Sequence, residues 1–280
     1  MNLFPLYTMS LFISSLNTGS NGNCFYIGNH DEAVLVDVGL TCKETEVRMQ
    51  RLNLSMSNVK AIFISHEHSD HIRGLPVIAK KYQIPVFITQ STLLSGKQQL
   101  PQHLLNSFIA YAPVQIGGLE IIAFPKKHDA IEPHSFTVGC NGIKVGVFTD
   151  IGQHCDHVIS NFKQCHAVFL EANYDDEMLD RGRYPYFLKN RIRSGHGHLS
   201  NSQALALFMS HKSAHLSHLF LSHLSKDNNC PDLVQRLFST HANGTEIIVA
   251  SRLQETAVYH ISLPNDLRKL NKTQSNSVSQ

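Results

Sequence analysis

An apolar run and a cluster of metal-binding side chains adjoin in the stretch Ala61-Ile62-Phe63-Ile64-Ser65-His66-Glu67-His68-Ser69-Asp70-His71. The first five residues have the pattern of a buried strand. Three imidazoles and the carboxylate of Asp70 follow within six residues, so a strand that ends here directs several ligands toward one point. Histidine and carboxylate ligands together suit zinc, manganese or iron. The stretch therefore predicts a metal site at the end of a strand.

The spacing within this cluster favours more than one ion. His66 and His68 are two residues apart and can reach the same ion, whereas the neighbouring Asp70 and His71 can turn toward a second. A polar surface loop is the alternative, but random sequence rarely places four ligand-capable residues in this way after a strand-like run. The motif resembles the HxHxDH motif of the metallo-β-lactamase superfamily. This resemblance implies an αββα sandwich with the site on one rim and further ligands after later strands.

Two residues in the middle of the chain match further ligand positions of that superfamily. His128 follows the apolar run 119–124 and is the expected third ligand of the first metal, with His134 as its competitor. Asp150 ends the apolar run 145–149 and precedes Gly152 by two residues, which is how the superfamily presents a bridging carboxylate. The resemblance therefore predicts that Asp150 touches both ions.

A late histidine completes the expected ligand set. His223 follows the apolar run 219–222 and is expected to bind the second metal. Its rivals His211, His215 and His218 have the spacing of one helix face, which a solvated helix end running into the strand also explains. The resemblance thus assigns His66, His68 and His128 to the first metal, Asp70, His71 and His223 to the second, and Asp150 to both.

The charge of this site and two downstream motifs indicate the reaction. The positive charge of two divalent ions exceeds the negative charge of two carboxylates. The site is therefore expected to favour an anionic substrate and to lower the pKa of bound water. The segments Leu170-Glu171-Ala172-Asn173-Tyr174-Asp175 and Gly197-His198-Leu199-Ser200-Asn201 resemble the paired elements of ribonuclease Z. This resemblance implies that His198 protonates the leaving oxygen, Glu171 orients His198, and Asp70 helps to position the hydroxide. Alternatively, Ser200 or Asn201 caps a helix beside which His198 only packs, or His196 is the acid.

A local basic stretch lies between these two motifs. Its cations are interleaved with Tyr184, Tyr186 and Phe187, a combination that suits a phosphate backbone with stacked bases. An ordinary solvated loop is the alternative, although the position just before His198 favours substrate binding. The cations that we predict to contact substrate are Arg181, Arg183, Lys189, Arg191 and Arg193.

The early loop Thr18-Gly19-Ser20-Asn21-Gly22-Asn23-Cys24 has two equally supported interpretations. Glycine and asparagine tolerate positive φ, and the main-chain amides that such a loop exposes can bind an anion. A plain β-hairpin turn explains the same composition without any function.

The order of all these motifs narrows the resemblance to one family. The early glycine-rich loop, the HEHSDH block, His128-Asp129-Ala130 and the elements around Glu171 and His198 resemble the WalJ/YycJ group of metallo-β-lactamase-fold hydrolases. The resemblance covers most of residues 9–263. It implies a cytoplasmic bacterial exonuclease that degrades DNA from the 5′ end and is linked to DNA repair. It also implies a hydroxide activated by two divalent ions, zinc or manganese, with iron as a further candidate.

The size and composition are sufficient for one large globular domain or two small ones, and the resemblance implies the α/β class with mixed sheets. The chain has 280 residues, of which 42% are hydrophobic, and a formal net charge of only +2 argues against a global basic field. The six cysteines are scattered without a CxxC pair, which indicates reduced thiols. We expect neither a signal peptide nor a membrane span. The expected boundaries are an N-terminal extension at 1–8, the hydrolase domain at 9–263 and a polar tail at 264–280.

Hydrophobic patterns along the chain predict early hairpins and later strand–helix alternation, as in a mixed-sheet sandwich covered by helices. The predicted strands are Leu11–Ser15, Cys24–Ile27, Ala33–Asp37, Ala61–Ser65, Val86–Thr89, Leu119–Phe124, Ser135–Cys140, Ile143–Thr149, Ala167–Leu170, His218–Leu221 and Glu246–Val249. The predicted helices are Cys42–Leu52, Gly74–Tyr82, Ser91–Gln99, His154–Asn161, Ser202–His211 and Pro231–Ser239.

Several functions compete at this level. A DNA-end exonuclease is the leading hypothesis, and a small-molecule or cyclic phosphodiesterase of the same fold is the alternative, because no long substrate-recognition domain is visible. A thioester or lactam hydrolase would not require the pair of Glu171 and His198. A scaffold without activity would be expected to have lost ligands. DNA is the expected partner, no membrane contact is expected, and the oligomeric state stays open.

Overall fold

A computed structural model describes residues 10–263, which form two seven-stranded sheets and the helices around them. The strands are β1 (Leu11–Asn17), β2 (Cys24–Gly28), β3 (Ala33–Val36), β4 (Val59–Phe63), β5 (Val86–Phe87), β6 (Leu105–Asn106), β7 (Val114–Ile116), β8 (Leu119–Pro125), β9 (His134–Cys140), β10 (Ile143–Phe148), β11 (Ala167–Glu171), β12 (His218–Ser222), β13 (Glu246–Val249) and β14 (Tyr259–Ile261). The helices are α1 (Cys42–Arg51), α2 (Ser69–Ile72), α3 (Leu75–Tyr82), α4 (Gln90–Ser95), α5 (Asp156–Phe162), α6 (Asp176–Arg181), α7 (Tyr186–Arg193), α8 (Asn201–His211) and α9 (Pro231–Ser239).

Both sheets mix antiparallel and parallel pairing. The first has the order β14-β1-β2-β3-β4-β5-β6 and the second the order β13-β12-β11-β10-β9-β8-β7. Strands β3 to β6 run parallel in the first sheet, and β10 to β13 run parallel in the second. The carboxyl ends of parallel strands meet at one edge of a sheet, and this edge is where ligands bind in open sheets with helical crossovers.

Three apolar cores separate four layers. The middle core lies between the sheets, where Phe25 faces Phe169 with ring centroids 4.9 Å apart. A second core joins the outer face of the first sheet to helices such as α1 and α3, and a third joins the second sheet to α5, α8 and α9. Each fully buried phenylalanine contributes about 1.5–3 kcal/mol through removal of its ring from water. The predicted αββα sandwich is confirmed.

Local signals explain where several helices begin and end. Ser200 caps α8 in a capping box with Gln203, and Thr41 caps α1 by accepting from the amide of Glu44. The helix predicted at Ser91–Gln99 ends earlier, because Gly96 forms the C-cap of α4. Helices α2, α6 and α7 and strands β6, β7 and β14 were not predicted from the sequence. These elements are short, and α7 buries no residue.

The predicted extension at 1–8 and tail at 264–280 lie outside the described residues. Within the described range, no helix is both long and apolar enough to cross a bilayer. The six cysteines, all within residues 10–263, are free thiols. The boundary of the hydrolase domain at residue 9 stays a prediction.

Candidate metal centre

The side chains expected to bind metal meet at one rim of the sandwich. Each follows, or lies close behind, the end of a strand, and these strands belong to both sheets. From the first sheet, the loop after β4 carries His66 and His68, and the following helix α2 carries Asp70 and His71. From the second sheet, His128 follows β8, Asp150 follows β10, Glu171 ends β11 and His223 follows β12. The rim therefore brings together residues that lie far apart in the sequence.

Left-handed backbone marks three positions on this rim. Asp37, Asp150 and His223 have φ values of 59°, 56° and 57°, and each comes within two residues of a strand end. Aspartate and histidine tolerate this region better than most side chains do, and such strain concentrates at functional sites. Lys126 donates from Nζ to the carbonyl of Thr149 at 2.8 Å, which fixes the main chain just before Asp150.

The first cluster consists of His66, His68 and His128. Nδ1 of His68 lies 3.1 Å from Nε2 of His66 and 3.3 Å from Nε2 of His128. Three ring nitrogens thus converge on one point, a geometry that can hold a single cation. Burial lowers the pKa of His66, and it lowers the pKa of His128 to about 4, so both rings favour the neutral form that binds metal.

The second cluster consists of Asp70, His71 and His223. Oδ2 of Asp70 lies 3.5 Å from Nε2 of His71 and 3.7 Å from Nε2 of His223. One carboxylate oxygen and two ring nitrogens therefore face a common point next to the first cluster. Burial lowers the pKa of the rings of His71 and His223, but the nearby carboxylates, Asp150 first among them, have a larger opposite effect. The pKa of His71 is therefore raised, and that of His223 is raised to about 10.

Asp150 lies between the two clusters. Its Oδ1 is 3.9 Å from Nε2 of His128 and 3.6 Å from Nε2 of His223, while its Oδ2 is 3.2 Å from Nε2 of His71. Burial opposes ionisation of this carboxyl, but the nearby His223 and His71 outweigh it and hold its pKa well below the usual range. The side chain is therefore an anion in contact with residues of both clusters.

Two buried polar atoms test whether cations fit this centre. Oδ2 of Asp150 and Nε2 of His223 have no hydrogen-bond partner among the described residues, although such atoms are normally satisfied in a protein interior. In the first cluster, Nδ1 of His68 faces Nε2 of both His66 and His128, so three ring nitrogens point at one another. A metal ion satisfies both arrangements, and the donor set of nitrogens and carboxylate oxygens suits a divalent cation. The fold with these histidine and aspartate clusters implies divalent metals.

A further shell of groups fixes the rings, and the sequence analysis missed most of it. Asp37 accepts from Nδ1 of His71 at 2.7 Å and from the amide of Ser65 at 2.8 Å. The hydroxyl of Ser65 lies 2.8 Å from Nδ1 of His66, and Nδ1 of His128 lies 3.0 Å from the carbonyl of Gly197. These contacts turn Nε2 of each ring toward the clusters. Asp37 ends an apolar run, which was its only signal in the sequence.

Glu171 connects His198 to the second cluster. Its Oε1 lies 2.8 Å from Nδ1 of His198 and 2.9 Å from Nδ1 of His223, and its Oε2 accepts from the amides of Ile151 and Leu199. Burial opposes its ionisation, but His198 and His223 outweigh burial and lower the pKa of Glu171 to about 2. His198 is half-buried, with 22% of its side chain exposed. Ser200 caps α8 as the alternative interpretation expected, but His198 is also held by Glu171.

The early glycine-rich loop supports the second cluster. Nδ2 of Asn23 lies 3.2 Å from Oδ2 of Asp70 and 3.1 Å from Nε2 of His71. The amide of Asn23 donates to the carbonyl of Asp70 at 2.7 Å. Gly39 packs against the same carbonyl so closely that a Cβ there would lie 1.7 Å from the oxygen. The loop is therefore part of the scaffold of Asp70, a role that neither sequence interpretation included.

The rival histidines lie outside the clusters. Nδ1 of His134 donates to the carbonyl of Glu132 at 2.9 Å, and the ring packs on Phe108. His211 ends α8 and His218 begins β12, as expected for a helix end running into a strand. His196 is exposed. None of these rings belongs to a group of metal-binding side chains among residues 10–263.

Most cations of the basic stretch are engaged in ion pairs. They lie on or between α6 and α7, where Arg191 pairs with Asp129 at 2.5 Å, next to His128. Arg181 pairs with Glu177, and Arg193 pairs with Asp180. Tyr186 and Phe187 at the start of α7 are 80% and 73% exposed, which leaves two aromatic faces available beside the cations. The stretch is therefore helical and ordered rather than an open loop.

Comparison with known proteins agrees with this geometry. The sequence profile described as "Beta-lactamase superfamily domain" matches residues 32–223. The chain is 36% identical to exodeoxyribonuclease YycJ of Bacillus anthracis over 230 residues, covering 81% of this chain and 87% of the relative. The chain belongs to the YycJ/WalJ family. Its resemblance to that group is thereby confirmed.

Other members and neighbours of the YycJ/WalJ family extend the match. The chain is 32% identical to exodeoxyribonuclease WalJ of Streptococcus pneumoniae, covering 79% of this chain and 84% of the relative. The solved structure of the metallo-β-lactamase fold protein YhfI from Bacillus subtilis superposes with a TM-score of 0.70. That match covers 90% of this chain and 99% of YhfI at 14% identity, so it supports the fold alone.

Proposed function

We propose that this chain is a metal-dependent phosphodiesterase that removes nucleotides from DNA ends in the 5′ to 3′ direction. The observation that carries the proposal is the placement of Asp150 between two clusters of ligand-capable side chains, with His198 3.9 Å from the same carboxylate oxygen. The exodeoxyribonuclease names of the YycJ and WalJ relatives support DNA as the substrate. The polarity rests on the family resemblance. We also propose that it acts in the cytoplasm of a bacterium, in DNA repair.

The expected ligands divide into two sets that share one carboxylate. His66, His68 and His128 would hold one divalent ion, Asp70, His71 and His223 would hold the other, and Asp150 would contact both. Zinc and manganese are the proposed metals, and iron also fits these nitrogen and oxygen donors. When bound, the ions supply Lewis acidity and lower the pKa of bound water, so that hydroxide is available at neutral pH.

The protein groups around the centre have separate tasks in the proposed reaction. Asp70 and Asp150 fix where the attacking oxygen stands relative to phosphorus. His198 donates a proton to the departing oxygen of the sugar, since its ring is partly open to solvent while its Nδ1 is held by Glu171. Glu171 remains ionised because its pKa is about 2, so it stabilises the protonated ring and fixes the tautomer.

The basic stretch supports a polyanionic substrate at this site. Arg191 lies next to the first cluster through its pair with Asp129, and the exposed rings of Tyr186 and Phe187 offer stacking surfaces. A nucleic acid strand that follows α7 would reach the metal centre at the loop of His198, which comes directly after this helix. We therefore propose Arg181, Arg183, Lys189, Arg191 and Arg193 as substrate-binding residues.

Degradation of end-labelled DNA tests the proposal. Purified protein with Mn²⁺ or Zn²⁺ should release labelled mononucleotide at once from a 5′-labelled strand, while a 3′-labelled strand should shorten progressively. His66→Ala should abolish both products, whereas His103→Ala removes an exposed ring that belongs to neither cluster and should leave them unchanged. Hydrolysis of small or cyclic diesters with no action on DNA would instead favour the alternative function, and no metal-dependent product from any diester would reject both.

A further inference from the structure

A cavity lies beside the metal centre and is lined by none of its expected ligands. Its volume is about 270 Å³, and its walls come from the loops after β1, β12 and β13. Because β12 and β13 are parallel neighbours and His223 follows β12, the cavity takes the next position along the same rim. Thr18 lines the cavity, and its Oγ1 accepts from the amide of His223 at 2.9 Å. The cavity and the metal centre therefore share a wall.

The lining combines apolar side chains with two cations. The apolar part consists of Leu224, Pro231, Val249, Ala250 and Leu253. The cations are Arg252 and Lys226. Nη1 of Arg252 is buried and lacks a hydrogen-bond partner in the described part of the chain, and leaving such a donor unpaired is costly. Because Arg252 lines the cavity and arginine is well suited to phosphate, an anion in the cavity would have a cationic partner there.

The size of the cavity limits its ligand to one monomer. Pockets for drug-sized molecules have volumes of about 300–1,000 Å³, so this cavity is slightly smaller than that range. A single base with its sugar fits such a space, whereas a run of stacked nucleotides does not. An apolar wall for a flat base and a guanidinium for its phosphate are the two features that a nucleotide requires.

The basic stretch reaches the same part of the surface. Tyr184 lies between α6 and α7, and its hydroxyl donates to Asp227 at 3.0 Å. Asp227 follows Lys226, which lines the cavity. A strand bound along the basic stretch is therefore led to both the metal centre and the cavity next to it.

We propose that this cavity holds the terminal nucleotide of the DNA strand, with its base against the apolar wall and its phosphate at Arg252. The inference rests on the proposed nuclease function, which it deepens by naming the site that positions the strand end. One occupied cavity beside the centre places the next phosphodiester at the metals, so the enzyme removes one nucleotide at a time.

Two substitutions test the cavity separately from the metal centre. Arg252→Met removes the guanidinium charge at similar length, and Leu253→Asp places an anion at a position that is 79% exposed, where folding is little affected. Arg236→Met is the matched control, since this exposed arginine of α9 does not line the cavity. The substrates are a single-stranded oligonucleotide and bis(p-nitrophenyl) phosphate, and the binding probe is deoxyadenosine 5′-monophosphate, followed by calorimetry.

The expected result is a change in preference rather than a general loss. In Arg252→Met and Leu253→Asp, the ratio of oligonucleotide to small-diester kcat/KM should fall about tenfold or more, and mononucleotide binding should weaken to a similar extent. The control should keep both values. Unchanged ratios and unchanged mononucleotide binding in both variants overturn the cavity site while leaving the nuclease function intact. If the wild type cleaves no DNA yet binds the mononucleotide through Arg252, the proposed function fails and the cavity site stands.

Discussion

Oδ2 of Asp37 lies 2.7 Å from Nδ1 of His71, and both side chains are fully buried. The carboxylate is held in turn by the amide and hydroxyl of Ser65, each at 2.8 Å. His71 therefore has one orientation before any ligand arrives, with Nε2 directed at Asp150 and Asp70. The second cluster depends on this contact, because groups that hydrogen-bond to metal-binding side chains affect metal affinity nearly as much as those side chains themselves.

Replacing Asp37 should weaken metal binding without removing a ligand. In Asp37→Asn, His71 loses its anionic partner, so we expect metal affinity and activity to fall by about 10–100-fold. Titration with Mn²⁺ followed by calorimetry measures the affinity directly. Asp31→Asn, which changes an exposed turn residue, is the control. An unchanged affinity in Asp37→Asn would show that His71 needs no support from the neighbouring strand.

Removal of His198 should affect the leaving group more than the metal centre. Loss of a general acid costs about 10²–10⁴-fold in rate, and we expect this loss of kcat for DNA in His198→Ala. For bis(p-nitrophenyl) phosphate the loss should be much smaller, because p-nitrophenolate leaves without a proton. His196→Ala is the matched control, since His196 is exposed and holds no partner in the centre. Equal losses for both substrates would argue for a role in binding instead.

Metal should stabilise the fold, because the proposed ligands follow strands of both sheets. An ion present at a hundred times its Kd stabilises the native state by about 2.7 kcal/mol. For a chain of this size, that corresponds to a rise in Tm of about 5–10 °C. Chelation with EDTA followed by calorimetric melting measures the shift. Asp150→Ala should lose most of the response, whereas Asp156→Ala, at an exposed position of α5, should retain it.

Glu46 should stabilise the contact between α1 and α3 in a pH-dependent way. Its Oε1 accepts from Lys81 at 2.7 Å, Tyr82 at 2.8 Å and Cys42 at 3.0 Å. Hydrogen bonds from Lys81, Cys42 and Tyr82 lower the pKa of Glu46 to about 2. A lowered carboxyl pKa gives stability that is fully present above pH 4.5 and is lost as the pH falls through 2.

The measurement is the Tm of wild type and Glu46→Gln across this range. The variant should melt a few degrees lower, by an amount that stays constant between neutral pH and about pH 5 and shrinks in stronger acid. Lys81→Gln should cause a similar decrease, and the double variant should show less than the sum of the two, since both remove the same contact. Additive effects would mean that the two side chains stabilise the protein independently.

Salt dependence should reveal which cations of the basic stretch contact phosphate. Arg183 is exposed, and Arg183→Gln should raise KM for DNA several-fold and lower the slope of log K against log salt by about one. Arg51→Gln, at the end of α1, is the control for loss of one exposed charge. An unchanged slope in Arg183→Gln would remove this residue from the proposed strand path.

The sequence predicted the parts of the site that have local signals. His66, His68, Asp70 and His71 stand in one short segment after β4, and Asp150 and His223 each follow a strongly apolar run, so their positions followed from the strands. Asp37 was missed because a single aspartate after a strand has no pattern, and its partner His71 is far along the chain. Asp37 and His71 come close together only because β3 pairs in parallel with β4, and no local residue specifies that pairing.

The elements that the sequence missed lack the periodic burial on which such predictions depend. Helix α7 buries no side chain, and its polar and aromatic residues resemble a solvated loop. The ion pairs of the basic stretch also escaped prediction, because Asp129 and Asp180 become partners only when the loop after β8 and helix α6 meet α7 in space. Fold class and ligand loops were thus predictable from the sequence, whereas the contacts between loops required the structure.

Gly39 leaves no space for even a methyl group between its own backbone and the carbonyl of Asp70. The two backbone segments are in direct contact there. The amides of Asn23 and Val38 also donate hydrogen bonds to the carbonyls of Asp70 and His71, which connects the segments. We expect the backbone on this side of the rim to be rigid, with little thermal motion. Any adjustment to an arriving strand must then come from the opposite wall, where α7 buries no residue and the side chain of His198 is partly exposed.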